Sequence, residues 1–140
     1  MVRKAIIEKL DEHFPDNDVY GEGIREGFEE PCFFVQILPT TQFKEIQSYR
    51  RSELFDIQYF LDEFDEDINE KYKEMGDLLF QILEYLDITD SKKVRGTDMN
   101  YQIIDGVLHF NVRYSYILNT AIDGLKMSKA DVKEMVKDEE

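Results

Sequence analysis

Few residues in this chain could do chemistry: two histidines, one cysteine, a run of carboxylates, and arginines near strand ends. A zinc centre needs His, Cys or carboxylates brought together at ligand spacing. His13 and His109 have no second histidine or cysteine at such spacing, which predicts structural or surface roles for both. Asp62, Glu63, Asp65, Glu66 and Asp67 invite a calcium-loop reading. An EF-hand loop counted from Asp62, however, puts Asp67 where glycine is required and Lys73 where a bidentate glutamate is required. The run suits a helix N-terminus better, where the macrodipole favours each negative charge by roughly 0.3–1 kcal/mol. Cys32 sits beside Phe33 and Phe34, the setting of a buried thiol rather than an activated one. The serines lack a G-x-S-x-G elbow. Gly21, Gly23 and Gly27 have neither the spacing nor the following helix of a dinucleotide loop. The residues therefore predict no catalytic group, no cofactor site and no metal site.

The arginines are the remaining candidates. Arg50 and Arg51 are adjacent at the start of a strand, and Arg95 and Arg113 lie at the outer part of a late hairpin. In an acidic chain they could pair with carboxylates of a neighbouring copy. Equally, they could be solvated edge charges that discourage sheet-to-sheet aggregation. Successive strand residues point to opposite faces, so at most one of Arg50 and Arg51 serves a given interface.

The elements that position these residues follow from periodicity. Val2, Ile6, Leu10 and Phe14 recur every four positions with Ile7 beside them, and Pro15 stops the helix they predict over 2–14. Residues 16–27 are polar and glycine-bearing, with a short strand around Val19 and Tyr20. Pro31 opens CFFVQIL, a near-continuous apolar run that reads as a buried strand. Residues 39–48 read as a loop. A second strand covers 47–60, where Phe55, Ile57 and Tyr59 alternate with Asp56 and Gln58. Ile68, Tyr72, Met75, Leu79, Ile82 and Leu86 then make a narrow stripe, predicting a long helix to about Leu86. Gly76, mid-helix, marks close packing, since glycine there costs about 1 kcal/mol against alanine.

The strongest local signal is Asp105-Gly106 between two alternating runs, a two-residue hairpin turn. Its register would pair Ile104 with Val107, Ile103 with Leu108, Tyr101 with Phe110 and Met99 with Val112 as apolar pairs. The other face would carry Gln102 with His109, Asn100 with Asn111, and Asp98 with Arg113. The order of helix, strands, helix and hairpin lacks β-α-β alternation. It predicts a single α+β domain over 1–120, with a largely antiparallel sheet and two main helices on one face. Residues 121–140 are expected to be a charged C-terminal segment, helical or mobile.

Bulk properties narrow the function. A formal charge of −14 over 140 residues argues against a surface built for DNA phosphates. It suits a soluble protein that repels nucleic acid or meets a basic partner. One cysteine permits no intrachain disulfide, compatible with assembly in a reducing cytosol. MVRKAIIEKLDEHF is too charged for a signal peptide, and no apolar run is long enough to cross a bilayer.

Four stretches resemble a phage tail terminator family of Gram-positive phages and prophages: AIIEKLDEHFPD at 5–16, GFEEPCFFVQIL at 27–38, YRRSELFDIQYF at 49–60, and VRGTDMNYQIIDGVLHFNVRYSY at 94–116. They consist largely of core and turn residues, so they mark a fold family more than a chemical site. The resemblance implies a virion protein, made in the host cytoplasm, that caps the head-proximal end of the tail tube. It would end tube polymerisation and present the head-tail joining surface as a ring, usually a hexamer, although a monomer in solution would be compatible with that role. The implied partners are the tail-tube protein and a head-completion (connector) protein, with no cofactor and no catalysis. Arg50, Arg51, Arg95 and Arg113 are the residues placed at a subunit or partner interface. Charge alone motivates an alternative, an acidic inhibitor or DNA mimic: residues 62–90 hold eleven carboxylates and two lysines, a net −9. A carboxylate metal-dependent nuclease is a third class, with no positive motif behind it.

Overall fold

The computed structural model describes residues 2–21 and 29–119. In chain order the elements are α1 (Val2–His13), β1 (Asp18–Tyr20), β2 (Cys32–Ile37), β3 (Thr41–Lys44), β4 (Ser48–Phe60), α2 (Ile68–Ile82), β5 (Tyr85–Thr89), β6 (Lys92–Ile104) and β7 (Val107–Asn119). The strands form one sheet in the order β1-β2-β4-β7-β6-β5, with β3 pairing the first half of β4. Only β1 and β2 are parallel; the other pairs are antiparallel. The architecture is the α+β domain that the element order predicts. The segment 121–140 and most of the glycine-bearing stretch before Pro31 lie outside the described residues.

Strand alternation decides which side is core. Phe33 and Val35 of β2, Phe55, Ile57 and Tyr59 of β4, and Leu108, Phe110, Val112 and Tyr114 of β7 share one face and are buried. Val2, Ala5, Ile6 and Leu10 of α1 and Tyr72, Met75 and Leu79 of α2 pack with them in one cluster. Both helices thus cover the same face. Burying each large apolar side chain there contributes about 1.5–3 kcal/mol. The opposite face carries Gln36, Asp56, Gln58, His109, Asn111 and Arg113, the polar members of the same alternation.

Two polar anchors tie the helical layer to the sheet. The Tyr72 hydroxyl accepts from the Leu61 amide at 3.1 Å and donates to the Gly106 carbonyl at 2.7 Å. The Tyr114 hydroxyl donates to the Leu83 carbonyl just beyond α2. Gly76 faces the Tyr101 ring so closely that a Cβ would lie 2.6 Å from it, which accounts for the mid-helix glycine.

The structure corrects three sequence expectations. First, α2 ends at Ile82, and Tyr85–Thr89 is a strand pairing with the start of β6. Leu86 continues the helical stripe, yet it also faces inward from a strand, so apolar spacing alone could not place the boundary. Second, 39–48 is not simply a loop, because Thr41–Lys44 form β3, folded back on β4 around Ile46 and Gln47. Third, the hairpin register holds from Ile104–Val107 to Asn100–Asn111 and then slips. Thr97, not Asp98, pairs with Arg113, because an extra residue at Asp98–Met99 makes a bulge with Asp98 at φ 53°. Alternation also puts Ile104 and Val107 on the Gln102 side rather than in the apolar column. The turn itself has positive φ at both Asp105 and Gly106, as a type I′ turn requires.

Candidate interaction surface

Among the described residues no group of three or more His, Cys, Asp or Glu side chains could hold a metal ion. Cys32 is fully buried, and burial, reinforced by Glu30 and Asp18, pushes its thiol up to about 11. Such a thiol is a poor nucleophile at neutral pH. His13 is exposed at the end of α1, beside the Phe14 ring. Asp62 and Asp65 hold the turn before α2, their carboxylates accepting from the amides of Phe64 and Asp67 at 2.9 and 3.0 Å. Lys71 closes this turn onto Asp65 at 2.7 Å, which draws the Asp65 carboxyl below its ordinary value. Asp67 takes the N-cap position but makes no side-chain cap.

One polar cluster escaped the sequence reading. His109 Nδ1 lies 3.0 Å from Asp56 Oδ2 on the open sheet face, and Gln58 donates to the same carboxylate oxygen at 3.0 Å and to Gln36 at 3.1 Å. Asp56 is 8% exposed, and these bonds satisfy its Oδ2 and offset part of the cost of burying a carboxylate, while Oδ1 is buried without a partner. The face of each residue is legible from alternation. That β4 lies beside β7, which brings them together, is a matter of topology. The cluster ties three neighbouring strands, β2, β4 and β7.

The four arginines separate on the structure. Arg50 and Arg51 fall on opposite faces of β4, as alternation requires. Arg50 Nε reaches Glu45 at 3.2 Å, and Arg51 Nε donates to Gln42 at 2.8 Å, both partners lying on or just after β3. Arg51 also borders Glu53 and Tyr116; burial raises the Glu53 carboxyl and the Tyr116 phenol above their ordinary values. Arg95 is exposed and sits 3.8 Å from Glu84. Arg113 is the most occupied, donating to Asp98 at 3.0 Å and to Ser52 at 2.9 Å. It cross-links β4, the bulge and β7, a folding role. The structure thus brings Arg50 and Arg51 to one hairpin, ties Arg113 to the base of that hairpin through Ser52, and leaves Arg95 apart from it.

That hairpin, β3 with the start of β4, is the unusual feature. All four residues of β3 are exposed, Phe43 is 53% exposed, and Ile46 at the turn is 95% exposed. Residues 41–52 carry Lys44, Arg50 and Arg51 against Glu45, an island of net +2 in a chain of −14. At the far side of the sheet the outer edge of β6 is unpaired from Thr97 to Ile104 among the described residues, since β5 pairs only with Lys92–Arg95.

The described residues thus form an α+β domain with two unlike exposed edges. The chain is a member of the phage tail terminator protein family, whose model matches residues 1–125. It is accordingly a structural component of a phage tail and of the virion. No curated protein matches it. Nineteen chains of solved structures match. One of them is 11% identical, with a TM-score of 0.44 over 84% of this chain and 93% of its own. No described helix is long and apolar enough to cross a membrane.

Proposed function

We propose that this protein caps the head-proximal end of the tail tube, stops its polymerisation and offers the surface to which the head-completion (connector) protein joins. It does so as a closed ring, a hexamer, formed when copies meet the tube. The observation that carries this reading is the match of residues 1–125 to a family of tail terminators. The distribution of charge supports it. A closed ring needs heterologous contacts, one patch meeting a different patch. The cationic hairpin at 41–52 and the acidic flank at 62–90 are two such unlike patches. Arg50 and Arg51 are the interface arginines best placed for this contact, and the exposed Arg95 comes next. Arg113, already held on both sides, contributes least. Carboxylates lining a ring's axial channel would also keep passing DNA from adhering.

Electron microscopy of the protein mixed with tail-tube subunits tests the proposal. Rings on the ends of tubes of defined length are the expected result. Uncapped, open-ended growth would refute it.

A further inference from the structure

We infer that β3 of one copy adds as an antiparallel strand to the open edge of β6 in the next copy, so that the sheet runs on from subunit to subunit. The inference rests on the ring reading above and names the contact by which neighbours join.

Both edges have their backbone groups aimed outward. Ile104 and Val107 flank a two-residue turn and therefore form a hydrogen-bonded pair. Alternation makes Gln102 and Asn100 the next residues bonded to β7, which leaves the amides and carbonyls of Tyr101 and Ile103 facing the open side. On the arm, the Glu45 amide donates to the Ser48 carbonyl at 2.8 Å. By the same alternation Phe43 bonds to β4, while Gln42 and Lys44 turn their backbone groups away from it. Two outward residues on each edge match: Gln42 against Ile103 and Lys44 against Tyr101, with Phe43 beside Gln102.

Strand direction fits as well. The antiparallel ladders β3–β4, β4–β7 and β7–β6 make β3 antiparallel to β6 within one chain. A neighbour in the same orientation therefore presents β3 antiparallel to β6 and keeps the polar face of the sheet on one side. The two edges of a single chain cannot meet, because three strand spacings, about 14 Å, separate them. The occupant is thus a second copy, and charge selects the same pairing: the arm is net +2, while residues 98–105 carry Asp98 and Asp105 with no lysine or arginine. From Asn100 to Ile104 the edge has no proline, glycine or charge, the usual devices that blunt a free edge. Ile104 remains 41% exposed there, on the face that Phe43 would share, surface that the added strand would cover.

The test is a face-specific cross-link in the full chain. Phe43→Cys with Gln102→Cys places two thiols on the same face of the proposed joint, whereas Phe43→Cys with Ile103→Cys places them on opposite faces. Native Cys32 stays in place because it is buried. The protein is oxidised both alone at high concentration and bound to tail tubes. The expected result is a covalent ladder for F43C/Q102C that stops at a closed species, with at least tenfold less for F43C/I103C. No ladder in either setting, or equal ladders for both pairs, would overturn the inference. Wild-type capping in that case leaves the tube-capping reading in place, and a ladder from a protein that does not cap tubes keeps the joint and removes the capping.

Discussion

Gly96→Ala tests whether the contact between the end of α2 and the β6–β7 hairpin holds the fold together. A Cβ at Gly96 would lie 2.8 Å from Val112 Cγ2 and 2.9 Å from the Leu83 carbonyl oxygen. The second neighbour is backbone and cannot rotate aside. It is also the acceptor for the buried Tyr114 hydroxyl, whose proton burial holds well beyond ordinary titration. Overpacking a core position costs about 1–3 kcal/mol. Leaving a buried hydroxyl poorly paired adds about 1–3 kcal/mol, and the smaller entropy of the unfolded alanine chain returns about 0.4–1 kcal/mol. The expected net loss is about 2–4 kcal/mol. Urea unfolding at constant m-value measures it as a lower midpoint. Tyr114→Phe alone should cost about 1–3 kcal/mol, and distinctly less in the Gly96→Ala background, because both changes disturb one bond. Strict additivity, or a Gly96→Ala chain within about 0.5 kcal/mol of wild type, would refute this account of the junction.

Four further outcomes are expected. Glu53 has its carboxyl raised by burial, only partly offset by the Tyr116 hydrogen bond and the Arg51 charge. Its ionised form is therefore what folding penalises, a cost absent below the ordinary carboxylate range and incurred as pH rises through the raised value. Glu53→Gln should raise the urea midpoint at pH 7 and lose that advantage by about pH 4, and an equal shift at both would contradict the argument. Tyr72→Phe removes the tie between α2, Leu61 and the hairpin turn; a loss of about 1–3 kcal/mol with faster amide exchange at Leu61 is expected, and unchanged exchange would count against the tie. Cys32 should resist alkylation in the native protein at pH 8 and react at once in denaturant; rapid native labelling would show that the thiol is accessible. Arg50→Ala with Arg51→Ala should weaken ring formation, and unchanged assembled mass by light scattering would remove these arginines from the interface.

How much was legible follows from where burial imposes a period. Phe55, Ile57 and Tyr59 alternate because only one face of β4 meets the helices, and Val2, Ile6 and Leu10 recur because one stripe of α1 is covered. Those elements read correctly. β3 did not, because all four of its residues are exposed and no burial pattern marks them. The end of α2 was overrun because Leu86 satisfies both the helical and the strand period. The slip beyond Asn100 was invisible because its bulge uses aspartate at positive φ, where glycine would have given a signal. At the surface, alternation alone put Arg50 and Arg51 on opposite faces. Their partners Glu45 and Gln42 required the unseen β3. The pairing of Asp56 with His109 likewise depends on strand order, which no local pattern carries.

The bulge at Asp98–Met99 also sets a limit on how the chain can associate. In a strand with unbroken alternation, the outward amides would keep one phase from Thr97 to Ile104, and an approaching strand could slide along them by two residues and bond equally well. The inserted residue shifts that phase partway along. A strand bonded in step with Tyr101 and Ile103 falls out of step past Met99, so sliding in that direction forfeits bonds, and on the other side the turn at Asp105 ends the track. One irregular residue thereby shortens the stretch of free edge that any single strand could pair with in one register.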